Sequence, residues 1–391
     1  MKQLISFFTA IVLLITLFSV SVWGSDEVAE DRPTASTASL DIKAKSAILM
    51  EATTGKILYE QNANESFSPA SVTKIMTLLM VMEALETDKI QETDIVTVSE
   101  YASSMGGSQV FLAAGDEFTV KELIKCTVIA SANDAAVALA EHTFGSESAF
   151  VAAMNERAKE LGMKSSHFEN VTGLDDTTEN HVMSALDIAI MSQKLITYPM
   201  ILQYSSTWID TIRDGAFTLT NTNRLVRYYP GATGLKTGST AKAKFCLSAT
   251  AQRNGLSLIA VVMGAETRDI RNSETMRMLD FGFSNFALYT APEMDLESVY
   301  LTKGEKDKLE LYIEPFHMVV EKGKKDKITY SISMPSTINA PVKVGDTIGS
   351  VTYILDNVEI GKTSICAEET INSISFVKLL KKMLQTFLHP N

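Results

Sequence analysis

The chain has 391 residues, enough for two or three domains with a sizeable core. A hydrophobic fraction of 46% and a charged fraction of 21% are typical of a globular protein rather than a disordered one. The formal net charge of -12 argues against a nucleic-acid partner, because nucleic-acid phosphates need a basic surface.

The chain begins with a pattern typical of an export signal. Lys2 supplies a positive end, residues 4–22 are almost wholly apolar, and small residues precede Ser25. We therefore predict a signal peptide over residues 1–24, with an uncleaved transmembrane anchor as the alternative; in either case the rest is exported. Residues 25–40 are polar, which predicts a flexible lead-in.

Residues 41–290 mix strand and helix patterns. "KSAILMEATTGKILYEQN" predicts a hairpin, and "PASVTKIMTLLMVMEALE" predicts a buried helix with Ser68 and Pro69 at its N-cap and first turn. "TVKELIKCTVIASANDAAVALAEH" predicts a helix with a break near Ser131. A second hairpin turns at "RNG" in "CLSATAQRNGLSLIAVVMGAE". Strands at both ends and helices between them predict an α+β domain, an antiparallel sheet packed with helices.

The pattern changes after "APEMD". Residues 296–368 carry alternating or β-branched segments between turn signals, which predicts a small all-β domain. Residues 373–391 predict an amphipathic helix with Lys378, Lys381 and Lys382 opposite its apolar face. Fourteen helical residues span only about 21 Å, too short to cross a membrane. We therefore predict a helix lying on an anionic membrane surface, with packing against the protein as the alternative.

The cysteines and histidines show no metal or disulfide pattern. Cys126, Cys246 and Cys366 are odd in number and far apart, so we expect buried small side chains. The five histidines form no H-E-x-x-H cluster. We expect neither a metal nor a cofactor.

Three short motifs are candidates for a reactive site. Ser71 and Lys74 in "SPASVTKIMT" are one helical turn apart, Ser131 and Asn133 form an S-x-N, and residues 236–238 form a K-T-G before a strand. Each is weak alone, because S-x-x-K occurs three times in the chain, S-x-N is more often a turn and K-T-G more often a strand start. Together, their order and spacing match the motif set of class A β-lactamases and penicillin-binding proteins.

The resemblance extends beyond these motifs. "GSQVFLAAGDEFTVKEL", "FENVTGLDD", "HVMSALDIA" and "GLKTGSTAKAKFCLSATA" resemble the D-alanyl-D-alanine carboxypeptidases, low-molecular-mass penicillin-binding proteins of the serine peptidase kind. The similarity covers about residues 40–290. It implies a β-lactamase/transpeptidase-like fold there, and the later β domain and basic tail fit the membrane-attached members of that family.

The S-x-x-K pair makes chemical sense in this light. A serine hydroxyl is a weak nucleophile until a base takes its proton, and a lysine can do this only when neutral. Burial and a nearby positive charge lower the pKa of a lysine, and Lys236 is a candidate for that charge. The resemblance implies that Ser71 forms the acyl-enzyme and that Lys74 is its base.

The resemblance also implies roles for the other motif residues. Ser131 relays a proton to the leaving group and Asn133 orients the substrate. Lys236 and Thr237 bind the terminal carboxylate, and the backbone N–H groups of Ser239 and of the nucleophile form the oxyanion hole.

Two further residues are weaker candidates. His181 resembles a family position near the rim of the site, with a surface histidine as the alternative. Arg271 aligns with a family arginine near the cleft, where direct contact with the substrate is one interpretation.

The resemblance implies an enzyme that removes the terminal D-alanine from peptidoglycan pentapeptide stems, at the extracytoplasmic face of the cytoplasmic membrane. Its ligands would be stem peptides and β-lactam antibiotics, which acylate the same serine. A β-lactamase, a transpeptidase and a catalytically inactive scaffold are the alternatives. A second domain and a membrane tail argue against the β-lactamase, because hydrolysis of a free drug needs neither.

Overall fold

The computed structural model describes residues 40–175 and 178–388. The predicted signal peptide and nearly all of the predicted lead-in lie outside the described residues. The α-helices of the described part are α1 (Lys74–Glu86), α2 (Glu100–Ser103), α3 (Val120–Ile129), α4 (Asn133–Phe144), α5 (Glu147–Glu160), α6 (Ala185–Leu195), α7 (Pro199–Ser205), α8 (Leu225–Tyr228), α9 (Arg268–Asn285) and α10 (Phe376–Leu388). A 3₁₀ turn, Ala70–Thr73, leads into α1, and another lies at Lys325–Lys327.

The strands are shorter and more numerous than the helices. In chain order they are β1 (Ser46–Glu51), β2 (Ile57–Gln61), β3 (Ser66–Phe67), β4 (Ile95–Thr97), β5 (Glu117–Thr119), β6 (Met183–Ser184), β7 (Ile209–Ile212), β8 (Phe217–Thr220), β9 (Ala232–Thr240), β10 (Lys244–Arg253), β11 (Leu256–Ala265), β12 (Phe286–Thr290), β13 (Val299–Thr302), β14 (Lys308–Leu309), β15 (Leu311–Ile313), β16 (His317–Glu321), β17 (Thr329–Ser333), β18 (Thr337–Asn339), β19 (Thr347–Leu355) and β20 (Val358–Ala367).

A five-stranded antiparallel sheet organises the first domain, in the order β2-β1-β11-β10-β9. Both predicted hairpins are confirmed, as β1–β2 and β10–β11. The first strand joins them, since Ser46 pairs with Met263 and Glu51 with Leu258. The middle of the sheet is therefore formed by pairing between the first and the last strand of the domain.

Both faces of this sheet are covered. Along β1, Ile48 and Met50 belong to one hydrophobic core and Ala47 and Leu49 to the other. The alternation follows from the pleat, which sends successive side chains to opposite faces. Helix α6 packs on the first face, with α1 behind it in the same core, and α9 covers the second face, so the α+β prediction is confirmed.

Helix α1 is buried almost all round, as its sequence predicts. The predicted N-cap is wrong, because Ser68 Oγ makes no capping bond and instead donates to Asp175 Oδ2. The chain enters the helix through the 3₁₀ turn, with Ala70 in the left-handed conformation at φ +50°. The predicted break at Ser131 is confirmed: α3 ends at Ile129, α4 begins at Asn133, and Ser131 has φ +62°.

The second domain is built from strands, as predicted. Its largest sheet runs β15-β20-β19-β17, and a smaller one runs β14-β13-β18. Strand β12 directly follows α9 and pairs with β16, so the two domains share this element. Tyr353 stacks on Phe316 with ring centroids 4.0 Å apart and Tyr289 packs edge-on, giving the domain an aromatic core.

Helix α10 ends the described part of the chain. Phe376 and Val377 at its start are 77% and 75% exposed, and Met383 and Leu384 are also exposed. Lys378 Nζ donates to Glu305 of the β domain at 2.7 Å. Among the residues that the structure describes, no helix is both long and apolar enough to span a membrane.

Candidate active site

The turn that carries Ser71 is held between two glycines. A Cβ on Gly173 would collide with the Ala70 carbonyl group. A Cβ on Gly238, in β9, would lie 2.6 Å from Pro69 O and 3.0 Å from Ser71 N. Only glycine allows both backbones to approach so closely, so the K-T-G strand and the 172–174 loop fix the position of the serine.

Lys74 follows one turn later and its side chain is fully buried. Its Nζ lies 3.1 Å from Ser71 Oγ and also contacts Asn133 Oδ1 and, at 2.8 Å, the Thr172 carbonyl oxygen. A neutral amine has two N–H donors and one lone pair. The two carbonyl oxygens can take only the donors, so the lone pair of a neutral Lys74 faces the serine hydroxyl.

The surroundings favour this neutral form. Burial lowers the pKa of Lys74 well below its ordinary value, and the positive charge of Lys236 lowers it further, while Asp134 acts in the opposite sense. Burial, and then the charge of Arg271, lowers the pKa of Lys236 to about 7. Lys236 is therefore the nearby charge that the sequence suggested, and desolvation acts more strongly.

Asn133 is held in one orientation. Its Nδ2 donates to the Gly106 carbonyl oxygen at 2.7 Å, which turns Oδ1 towards Lys74. The side chain is only 1% exposed. Its observed contact is therefore with the base, not with the open cleft.

Ser131 and the K-T-G strand meet on the other side of the serine. Lys236 Nζ donates to Ser131 Oγ at 2.7 Å and to the Thr237 carbonyl oxygen at 3.1 Å. Thr237 Oγ1 donates to Thr222 Oγ1 at 2.7 Å. The left-handed backbone at Ser131 lets the break between α3 and α4 present its hydroxyl to Lys236.

These groups border a cleft of about 530 Å³. Ser71, Ser131, Thr237 and Ser239 line it, whereas Lys74, Asn133 and Lys236 lie buried behind. All seven predicted residues therefore come together, four facing the cleft and three supporting them. A hydroxyl beside a buried amine, at the mouth of a polar cleft, is equipped for nucleophilic attack on a carbonyl carbon.

Comparison with known proteins agrees with this geometry. The family model for D-alanyl-D-alanine carboxypeptidase matches residues 32–267, and the model for the C-terminal domain of penicillin-binding protein 5 matches residues 283–373. The D-alanyl-D-alanine carboxypeptidase DacF of Bacillus subtilis is 41% identical over 98% of each chain. The chain belongs to the D-alanyl-D-alanine carboxypeptidase family.

Solved structures extend the similarity to both domains. Penicillin-binding protein 5 of Haemophilus influenzae superposes with a TM-score of 0.73 at 31% identity, covering 85% of this chain and 98% of its own. The ampicillin-bound form of penicillin-binding protein D2 of Listeria monocytogenes gives a TM-score of 0.58 at 31% identity, over 63% of this chain and 99% of its own. The fold of this carboxypeptidase is thus that of the low-molecular-mass penicillin-binding proteins.

His181 of this carboxypeptidase is buried, not on the surface. Its Nδ1 accepts from the Glu169 N–H at 3.0 Å, so Nε2 carries the proton and donates to Thr73 Oγ1 at 2.8 Å. Thr73 Oγ1 in turn donates to the Ala70 carbonyl oxygen at 2.8 Å. Burial lowers the pKa of His181 to about 4, so the imidazole is neutral at neutral pH. Its hydrogen bonds thus link a neutral ring, through Thr73, to the turn that carries Ser71.

The arginines of the cleft were only partly foreseen. Arg271, a weaker candidate in the sequence, is 3% exposed and lines the cleft. Arg224, Arg227 and Arg268 line it as well. The sequence signal, four arginines in "NRLVRYYP" and "TRDIRN" of an acidic chain, could have drawn attention to them.

The remaining sequence expectations concern metals and cysteines. In the described ranges, no group of three or more His, Cys, Asp or Glu side chains could hold a metal ion. Cys126, Cys246 and Cys366 are free and buried, as expected.

Proposed function

We propose that this enzyme removes the C-terminal D-alanine from the pentapeptide stems of peptidoglycan through an acyl-enzyme on Ser71. The observation that carries the proposal is the fully buried Lys74, whose two N–H donors are taken by Asn133 and Thr172 while Ser71 Oγ lies 3.1 Å away. The lysine can then receive the serine proton during attack.

Acylation follows from the placement of the groups. Ser71 Oγ attacks the carbonyl carbon of the D-Ala–D-Ala bond and its proton passes to Lys74. The backbone N–H groups of Ser71 and Ser239 bind the developing oxyanion. Ser131, hydrogen-bonded to Lys236, delivers a proton to the departing amine.

The terminal carboxylate binds at the K-T-G strand. Thr237 faces the cleft, Lys236 lies behind it, and Arg271 lines the same cleft. Once D-alanine has left, water attacks the ester and Ser71 is released. A β-lactam enters the same cleft through its own carboxylate and acylates the same serine.

We also propose that the rest of the chain directs the enzyme to the cell envelope. Residues 1–24 direct export, residues 41–290 carry the chemistry, and residues 296–368 support the catalytic domain. The exposed apolar side chains of α10, with lysines in the same segment, favour docking onto an anionic membrane surface at the extracytoplasmic face. Cell-wall synthesis and remodelling are the proposed role.

Two measurements test the proposal. The first is intact mass after incubation with benzylpenicillin, on the wild type and on Ser71→Ala. We expect a persistent adduct of one penicillin on the wild type and none on the variant. Loss of the drug with no adduct would favour a β-lactamase, and an intact drug with no adduct would favour an inactive scaffold.

The second is D-alanine release from diacetyl-L-Lys-D-Ala-D-Ala. We expect release by the wild type and none by Ser71→Ala. D-alanine is released during acylation in either case, so the acyl product distinguishes the two: an exchanged peptide in place of the hydrolysed one, when an amine is added, would favour a transpeptidase.

A further inference from the structure

Four guanidinium groups surround the cleft of Ser71. Arg224, Arg227, Arg268 and Arg271, here called the arginine rim, all line it, and none of the described residues that line it is an Asp or Glu. Among the described residues, no carboxylate lies within 4.0 Å of any of the four. The other described arginines each pair with one: Arg157, Arg213, Arg253 and Arg277.

This distribution is unusual for an acidic protein. The chain has a formal charge of -12, yet four of its arginines line one cleft with no carboxylate partner among the described residues. The only described side-chain acceptor of the four is Asn272 Oδ1, which takes two hydrogen bonds from Arg271. Burial, followed by the charges of Arg268 and Arg224, lowers the pKa of Arg271 to about 10, although Asp269 opposes the effect. The rim thus repels itself in the free protein, and a bound anion would relieve that repulsion.

Two of the rim arginines lie next to the strand that is proposed to bind the terminal carboxylate. Thr222 Oγ1 accepts from Thr237 Oγ1 at 2.7 Å, and Arg224 is two residues further along. Helix α8, which contains Arg227, packs against β9. Because Thr237 is the proposed contact of the terminal carboxylate, the rim surrounds the amino acid beyond the scissile bond.

Arg227 is held in place for binding. Its guanidinium carbon lies 5.4 Å from the ring centroid of Trp208 and 5.3 Å from that of Tyr228. These two ring contacts restrict the guanidinium, and no described residue accepts a hydrogen bond from its side-chain N–H groups. Little side-chain entropy then remains to be lost when an anion binds.

One terminal carboxylate neutralises one positive charge, which leaves most of the rim unpaired. We propose that the arginine rim binds a second carboxylate, on the amino acid that occupies the leaving-group side of the cleft. The ligand class is a D-amino acid with an acidic side chain. It occupies the subsite either as the departing residue or as an incoming amine. This inference rests on the proposed function, because it uses the acyl-enzyme on Ser71.

The departing residue is tested with three peptides, diacetyl-L-Lys-D-Ala followed by D-Ala, D-Gln or D-Glu. D-Gln matches D-Glu in shape and lacks its charge. We expect kcat/KM for the D-Glu peptide to exceed that for the D-Gln peptide by about tenfold, the effect of one charge-assisted hydrogen bond. In the Arg224→Gln/Arg227→Gln double variant the ratio should fall below about threefold.

Arg213→Gln is the matched control. Arg213 is also stacked on two aromatic rings, Phe118 and Phe217, but it pairs with Asp116 and does not line the cleft. This variant should keep the wild-type ratio. An equal drop in both variants would point to a general loss of charge and overturn the subsite.

The incoming amine is tested by adding free D-Glu or D-Gln to the enzyme with the D-Ala-D-Ala peptide. The amino nitrogen attacks the ester carbonyl of the acyl-enzyme, the C–O bond to Ser71 Oγ breaks, and the amine proton returns to Oγ through Lys74. Mass spectrometry measures the exchanged peptide. Excess product with D-Glu assigns the subsite to an acceptor, and selectivity only in hydrolysis assigns it to the departing residue.

The outcomes separate the two proposals. If D-alanine is released but neither assay distinguishes D-Glu from D-Gln, the subsite is wrong and the carboxypeptidase reaction stands. If none of the three peptides is cleaved and benzylpenicillin forms no adduct, both proposals are wrong.

Discussion

Gly238→Ala should slow acylation of Ser71 without changing any group that takes part in the reaction. The added Cβ would lie 2.6 Å from Pro69 O, about 0.8 Å short of the 3.4 Å at which ordinary van der Waals contact begins. Both neighbours are backbone, so either the turn or strand β9 must move by a comparable distance. A misplacement of about 1 Å can cost about 10²-fold in rate, and overpacking costs about 1–3 kcal/mol of stability.

The assay is the second-order rate of acylation by a fluorescent penicillin, with urea unfolding measured in parallel. Gly304→Ala is the matched control, because its Cβ would lie 2.8 Å from Lys306 O in the β domain. That variant should lose stability and keep the wild-type acylation rate. An acylation rate within twofold of the wild type for Gly238→Ala would refute the view that the strand positions the nucleophile.

Three other substitutions test the groups around the serine. Asn133→Asp places a negative charge beside Lys74 Nζ, which raises the pKa of Lys74. The acidic limb of the plot of acylation rate against pH should therefore shift to higher pH. An unshifted limb would contradict the assignment of Lys74 as the base. Lys236→Met removes the charge that lowers the pKa of Lys74, so the same limb should again move upward, with a lower plateau because Ser131 loses its partner. His181→Gln should cost about 1–3 kcal/mol at neutral pH by breaking the bonds to Thr73 and Glu169. The pKa of His181 is lowered to about 4 from 6.5, so the wild type has this contribution to the free energy of unfolding above pH 6.5 and loses it as the pH falls through 4. In urea unfolding, the free energy of unfolding of the variant should fall less over that pH range. Equal decreases would show that His181 does not titrate with folding.

The sequence predicted the elements that local patterns control. The two hairpins of the central sheet, the buried helix after Ser71 and the break at Ser131 all follow from apolar spacing and turn residues, and the structure has them. The seven site residues were found because three motifs occur in a set order. Their proximity depends on the sheet, which no motif encodes.

What the sequence did not show depends on contacts between distant segments. Ser68 has the sequence pattern of an N-cap, but its hydroxyl donates a hydrogen bond to Asp175, which is 107 residues away. His181 gives no sign in the sequence that it is buried or that Thr73 accepts from it. The arginine rim likewise combines two segments, 224–227 and 268–271, that only the folded cleft brings together.

The pairing of β1 with β11 has a consequence for the order of assembly. Ser46 pairs with Met263, so β1 cannot pair with β11, its neighbour towards the centre of the sheet, until nearly all of the catalytic domain has been made. Contacts this far apart in sequence fold slowly, since a long loop must close before they form. With the export proposed above, the sheet of a chain that emerges from its N-terminus could not form fully until residue 263 had emerged. Truncations before residue 256 should therefore be cleared by proteases as unfolded chains rather than accumulate as partial enzymes.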